Sequence, residues 1–123
     1  MAKVKQLTVS LENRPGTLAR MAKVLADAKV NIVALLNSTS GAQGSAQVVV
    51  DNFNKAKKAL GDAGLSYTEG MLEQIELPNK PGALAELAGR LAKKGINIDC
   101  AYATMPKGTK KAVVVLALSG PTL

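Results

Sequence analysis

The chain has 123 residues, with 16 Lys and Arg against nine Asp and Glu, a formal net charge of +7, no histidine and one cysteine. Without histidine the usual general base at neutral pH and the commonest transition-metal ligand are missing, and a single thiol forms no intramolecular disulfide, so hydrolytic, acid–base and metal chemistry are not expected. Hydrophobic residues make up 47% of the chain but aromatics only 2%, which predicts an aliphatic core and leaves little for base stacking.

The opening Met1-Ala2-Lys3-Val4-Lys5-Gln6 lacks the apolar stretch of a signal peptide, and no run reaches the ~20 apolar residues of a membrane span, so a soluble cytoplasmic protein is expected. From Val4 to Leu11, Leu7, Val9 and Leu11 alternate with Gln6, Thr8 and Ser10, which predicts a strand with one buried face. After Asn13-Arg14-Pro15-Gly16, the spacing of Leu18, Met21, Ala22 and Leu25 predicts a helix over about 15–28. Pro15 would sit in its first turn, where a missing N–H costs nothing. Asn31 to Ser38 and Ala46 to Val50, on either side of Ser40-Gly41-Ala42-Gln43-Gly44, predict a hairpin. Asp51 or Asn52 then caps a helix carrying Phe53, Ala56, Ala59 and Leu60 and ending near Gly61 or Gly64; a further strand starts at Leu65. The first module, residues 1–70, thus reads strand, helix, strand, strand, helix, strand.

The pattern then restarts at an offset of 66 residues. Asn79-Lys80-Pro81-Gly82-Ala83-Leu84-Ala85 repeats Asn13-Arg14-Pro15-Gly16-Thr17-Leu18-Ala19, and residues 13–32 match 79–98 at ten of twenty positions. Met71 to Leu77 reads as a strand, Leu84, Leu87, Ala88 and Leu91 as a helix face, and Asn97 to Thr104 with Lys111 to Leu118 as a hairpin turning through Pro106-Lys107-Gly108. Leu65 to Leu77 could be nearly continuous extended chain, with Gly70 as its bend. Gly95 suits a left-handed helix C-cap; at its counterpart Lys29 that conformation costs roughly 1 kcal/mol, so the first helix is expected to end differently. The second module, residues 71–123, reads as βαββ, truncated after its third strand. The sheet edge and apolar surface left open predict a homodimer or higher homo-oligomer.

Each Asn-basic-Pro-Gly loop places backbone N–H groups at a helix N-terminus, where the dipole favours a carboxylate. Glycine permits close approach, and an asparagine side chain both donates and accepts. Such residues are also ordinary turn and cap residues, and it is their duplication in the same context that marks them. The lysine clusters Lys55, Lys57, Lys58 and Lys107, Lys110, Lys111 read as solvated faces, and Cys100 as a small buried hydrophobe.

The motifs Asn13-Arg14-Pro15-Gly16 with Val30-Asn31-Ile32, and Asn79-Lys80-Pro81-Gly82 with Gly95-Ile96-Asn97-Ile98, resemble those of the ACT domain family of small regulatory amino-acid-binding modules. Nearly the whole chain is similar to stand-alone bacterial proteins made of two such modules. The resemblance implies an α+β fold of ferredoxin-like βαββαβ modules, antiparallel sheets with helices on one face. It also implies an amino acid at the junction where the loop of one module faces strand two of another. The contact positions it implies are Asn13, Arg14, Pro15, Gly16, Thr17 and Leu18, with strand two contributing at Asn31 and Ile32. In the second copy they are Asn79, Lys80, Pro81, Gly82, Ala83 and Leu84, with Asn97 and Ile98. Leu18 and Leu84 also fit the helix core stripe, and Asn31 and Asn97 also fit backbone-satisfying roles where a strand begins. Thr17 differs from Ala83, so the two loops are not expected to be equivalent.

The expected function is a non-catalytic regulatory protein that binds a small amino acid at ACT module interfaces and couples occupancy to assembly, with no cofactor and no metal. The alternative is a protein–protein interaction scaffold without retained ligand binding. Nucleic-acid binding is disfavoured, because Ser45-Ala46-Gln47-Val48-Val49-Val50 and Ala112-Val113-Val114-Val115-Leu116 carry no ring on which a base could stack.

Overall fold

The computed structural model describes residues 2–104 and 108–120. The elements in chain order are β1 (Ala2–Glu12), α1 (Thr17–Asp27), β2 (Ile32–Ser40), β3 (Gln43–Val50), α2 (Phe53–Asp62), β4 (Tyr67–Pro78), α3 (Ala83–Lys93), β5 (Asn97–Thr104) and β6 (Lys111–Ser119). This is an α+β chain with the expected βαββαβ order at its start. Of the expected second hairpin turn, Pro106 and Lys107 lie outside the described residues, while Gly108 takes a left-handed φ of 84°.

Residues form two compact units, one of Lys5–Gly70 and one of Met71 onward together with residues up to Val4. In the first unit the strand order is β2-β3-β1-β4. β1 pairs antiparallel with β3, placing Leu7 opposite Val48 and Val9 opposite Ala46. Those side chains are fully buried and meet Met21 and Leu25 of α1 and Ala56 and Leu60 of α2, so the core is aliphatic, with Phe53 and Tyr67 only at its margin. In the second unit the order is β4-β6-β5, and Leu77, Val114 and Leu116 pack with Leu87 and Leu91 of α3. β4 is one strand, and Gly70, expected as a bend, lies inside it.

The hairpin turn is tighter than the sequence suggested. Gln43 and Gly44 belong to β3, leaving Gly41 and Ala42 as the loop, with Gly41 at φ 63°. A Cβ at Gly44 would stand 3.0 Å from both Ser38 O and Thr39 Cγ2, so only glycine lets the strands close there. Gln6, expected on a solvated face, is instead 5% exposed and donates from Nε2 towards Thr8 Oγ1 at 3.5 Å. Both β2 and β5 carry a register shift directly after their Asn-Ile pair, between Ile32 and Ala34 and between Ile98 and Cys100. The bulge is duplicated with the motif.

Two helix-end expectations are corrected. Pro15 is not in the first turn of α1: the helix starts at Thr17, and its N-cap is Gly16, held at φ 91°. Lys29 does adopt the left-handed conformation, at φ 61°, the one non-glycine residue to do so among the described residues. The Lys29 N–H donates to Ala26 O at 2.9 Å and the Val30 N–H to Leu25 O at 2.9 Å, matching Gly95 to Ala92 and Ile96 to Leu91. Both helices therefore end in the same Schellman turn, and two satisfied carbonyls with the Leu25–Val30 contact outweigh the strain at lysine. At the head of α2, Asn52 is the cap, its Oδ1 accepting from Lys55 N at 3.1 Å. Asp51 instead accepts from the Asn31 N–H at 2.9 Å.

Replacing Lys29 with glycine should raise stability by about 1 kcal/mol, read as a higher urea midpoint at unchanged slope; an unchanged or lower midpoint would mean that Lys29 carries no strain. A second outcome concerns Tyr102, whose hydroxyl burial, and to a lesser extent the charge of Cys100, pushes from 10.0 up to about 12. The folded state thus favours the neutral phenol. Its contribution to stability is fully present below about pH 10 and is lost as pH rises towards 12, because the unfolded chain ionises first. Tyr102→Phe should flatten that slope in alkaline melts, and a slope that persists would assign it elsewhere.

Candidate ligand site

The chain between β1 and α1 reverses in four residues. The Arg14 N–H donates to Glu12 O at 2.9 Å, Pro15 follows, and Gly16 takes the left-handed cap that starts the helix. No side chain caps α1 and no acidic residue stands in its first turn, so no side chain of the first turn compensates the positive end of its dipole, about half an elementary charge.

Beside this loop is a cavity of about 360 Å³, lined by the end of β1, the loop, Arg20 of α1 and the turn Gly64-Leu65-Ser66 that follows α2. Its back wall is tied by the Ser10 N–H donating to Ser66 O at 2.9 Å. α2 ends here, also in a Schellman turn, with Gly64 at φ 74° and the Leu65 N–H on Leu60 O at 2.9 Å. The positive end of α1 and the negative end of α2 therefore border one cavity. Arg20 joins them, its Nη2 donating to Ala63 O at 2.7 Å. Arg14 Nε meets Glu12 Oε2 at 2.6 Å, and Thr17 Oγ1 donates to Glu12 O at 2.8 Å, which staples the loop to the strand.

The second loop repeats the backbone but not the surroundings. Gly82 caps α3 at φ 87° and the Lys80 N–H donates to Pro78 O at 2.9 Å, yet Ala83 has no hydroxyl to reproduce the Thr17 staple. Its cavity is about 220 Å³ and mostly apolar, with Lys80 the one charged side chain lining it. Glu86 stands in the first turn of α3, where α1 has Arg20.

Of the expected contact residues, Arg14, Pro15, Gly16 and Thr17 line the first cavity, and Asn79, Lys80, Gly82, Ala83 and Leu84 the second. Asn13 and Asn79 have a structural task that their sequence position did not reveal. Each holds the hairpin turn of its own copy, Asn13 Nδ2 donating to Gly41 O at 2.7 Å and Asn79 Nδ2 to Thr109 O at 3.1 Å. Leu18 packs against the core as its helical spacing suggested, but Leu84, expected in the same stripe, is 46% exposed. Asn31, Ile32, Asn97 and Ile98 line neither loop cavity; Asn31 pairs with Asp51, and Asn97 Nδ2 donates to Asp99 Oδ1 at 2.7 Å. Arg20 and Gly64 to Ser66 were missed. Arg20 is one helical turn past Gly16 and so carries a local signal, whereas only the path of α2 brings Gly64 to the loop.

Among the described residues no group of His, Cys, Asp and Glu could hold a metal ion, and no helix is long and apolar enough to cross a membrane.

The sequence matches the family model described as an ACT domain pair over residues 2–118. The chain belongs to the ACT domain family. This ACT pair is similar to protein BT0572 from Bacteroides thetaiotaomicron, at 33% identity and a TM-score of 0.90, over 96% of this chain and 81% of that one. It shares its fold with the ligand-free regulatory subunit of aspartate kinase from Thermus thermophilus, at 15% identity and a TM-score of 0.68, over 93% of this chain and 82% of that one. The corresponding regulatory subunit from Thermus flavus is similar at 17% identity and a TM-score of 0.61, over 94% and 85%. No curated protein matches the sequence. ACT domains are regulatory modules.

A Cβ at Gly16 would meet nothing within 4 Å, so Gly16→Ala leaves the cavity open and costs only the left-handed backbone, about 1 kcal/mol. Thr17→Ala should cost a further 0.5–1.5 kcal/mol or so through the lost staple, both measured by urea unfolding. A Gly16→Ala loss of several kcal/mol would instead reveal a steric clash.

Proposed function

We propose that this ACT pair is a regulatory protein that binds a free amino acid at the Gly16 loop and couples its occupancy to association with a second copy of the chain. One observation carries the reading: the N-terminus of α1 and the C-terminus of α2 border the same cavity of about 360 Å³. A zwitterion needs both signs. Its carboxylate fits the uncapped N–H groups beside Gly16, and its ammonium fits the carbonyl end of α2. The volume lies in the range of small-molecule sites.

The second loop fits this task less well. Its cavity is smaller, lined by one cation and no acid. Binding at one loop per chain follows.

Association is supported by β2, which ends the strand order of its unit and carries no charged residue from Ile32 to Ser40. Val33 and Leu35 on it are 55% and 42% exposed. Natural edges of this length usually carry a lysine or proline against unwanted pairing; β2 carries neither, and its stretch beyond the bulge at Val33 is suited to a partner strand. The resemblance to ACT modules implies that strand two of a neighbouring module faces the loop, and a ligand held there would bind only the associated form and stabilise it by mass action.

Calorimetry and thermal melts against the twenty amino acids test the proposal. At least one should bind with one site per chain and raise the apparent mass in sedimentation; at a ligand concentration about 100 times Kd the stabilisation should reach about 2.7 kcal/mol. Silence across the whole set at millimolar concentration would refute amino-acid binding, and binding with unchanged mass would refute the coupling.

A further inference from the structure

We infer that the Gly16 cavity takes an acidic amino acid, one with a second carboxylate on its side chain, and that Arg20 sets this preference; the inference rests on the amino-acid reading of that site. The charged side chains lining the cavity are Glu12, Arg14 and Arg20. Glu12 and Arg14 face each other at 2.6 Å and balance. The α-carboxylate and ammonium of a free amino acid also balance, against the two helix ends. Arg20 is what remains. Among the described residues it forms no salt bridge with any carboxylate, and the ion pairs present involve other cations.

Arg20 is also held in place. Its bond from Nη2 to Ala63 O, at 2.7 Å, spends one of the five guanidinium donors and anchors the head at the wall formed by the end of α2. The remaining planar edge suits a carboxylate, which guanidinium binds with two parallel bonds where ammonium acts as a point charge. A neutral side chain would leave the cavity with an uncompensated cation, whereas an aspartate- or glutamate-like one matches it.

The duplication supplies an internal control. The position 66 residues on is Glu86, and the second cavity has no arginine. A residue that served only to begin the helix would not need its charge reversed between copies. Val24, which packs on the first core, likewise becomes the exposed Arg90, so the two helices have diverged where their surroundings differ.

The test is calorimetry of the full chain with Asp and Glu against their neutral isosteres Asn and Gln, with Ser and Lys as further probes. Because Arg20 is exposed, the gain is that of a screened pair: Asp or Glu should bind about fivefold more tightly than its amide at 0.1 M salt, with the ratio falling at higher salt. Arg20→Gln keeps an N–H donor for Ala63 O and should bring the acid-to-amide ratio to about one. Arg20→Lys should keep most of the preference, and Arg20→Glu should shift it towards Lys. A neutral amino acid binding as tightly as the acids, or a ratio unchanged in Arg20→Gln with an unchanged melting temperature, would overturn this inference and leave amino-acid binding standing. Failure of every amino acid to bind would overturn both.

Discussion

Two glycines held at left-handed φ, Gly16 at 91° and Gly82 at 87°, turn each leading strand into its helix within a few residues, and the rest of the architecture depends on that reversal. A helix launched so abruptly lies back across the strand it came from. Met21 and Leu25 thereby meet Leu7 and Val9, and Leu87 and Leu91 meet Leu77. The same reversal leaves the helix without a side-chain cap. Packing and the uncapped start of the helix thus come from one backbone conformation, because glycine has no side chain with which to cap.

The copies share this reversal and differ in what surrounds it. In the first, α2 closes the core over Ala56 and Leu60 and brings its carbonyl end to the loop. In the second, α3 is the one helix among the described residues, and Leu84 stands exposed where Leu18 is partly covered. Two exchanges between the copies follow from this. Thr17 staples a loop whose cavity is walled on both sides, while Ala83 belongs to one that is not; Arg20 has Ala63 O to anchor it, while Glu86 complements the dipole of its own helix.

Periodicity made the core legible, since Leu7, Val9, Met21 and Leu25 are buried where their spacing put them. The duplication made the loops legible. Local energies misled where tertiary structure outweighed them: Lys29 bears a left-handed backbone because the turn it completes satisfies two carbonyls, and Pro15 precedes the helix because the glycine after it is the cap. Asn13 could not be distinguished from a ligand-binding asparagine by sequence, since its acceptor, Gly41 O, is 28 residues away. The cavity wall at Gly64 to Ser66 was hidden for the same reason. Contacts set by the return of a distant element carry no local pattern.

The duplicated bulges after Ile32 and Ile98 bear on what the two sheet edges can accept. A long straight edge accepts strand after strand, and an assembly that keeps the same open edge on its outer side grows into a fibre. A bulge bends and twists the strand locally and interrupts its ladder. Pairing at β2 or β5 is then restricted to the stretch beyond the bulge, in one register. Such an edge favours a closed assembly of finite size, and a variant in which Val33 or Asp99 is deleted would offer flat, continuous template instead.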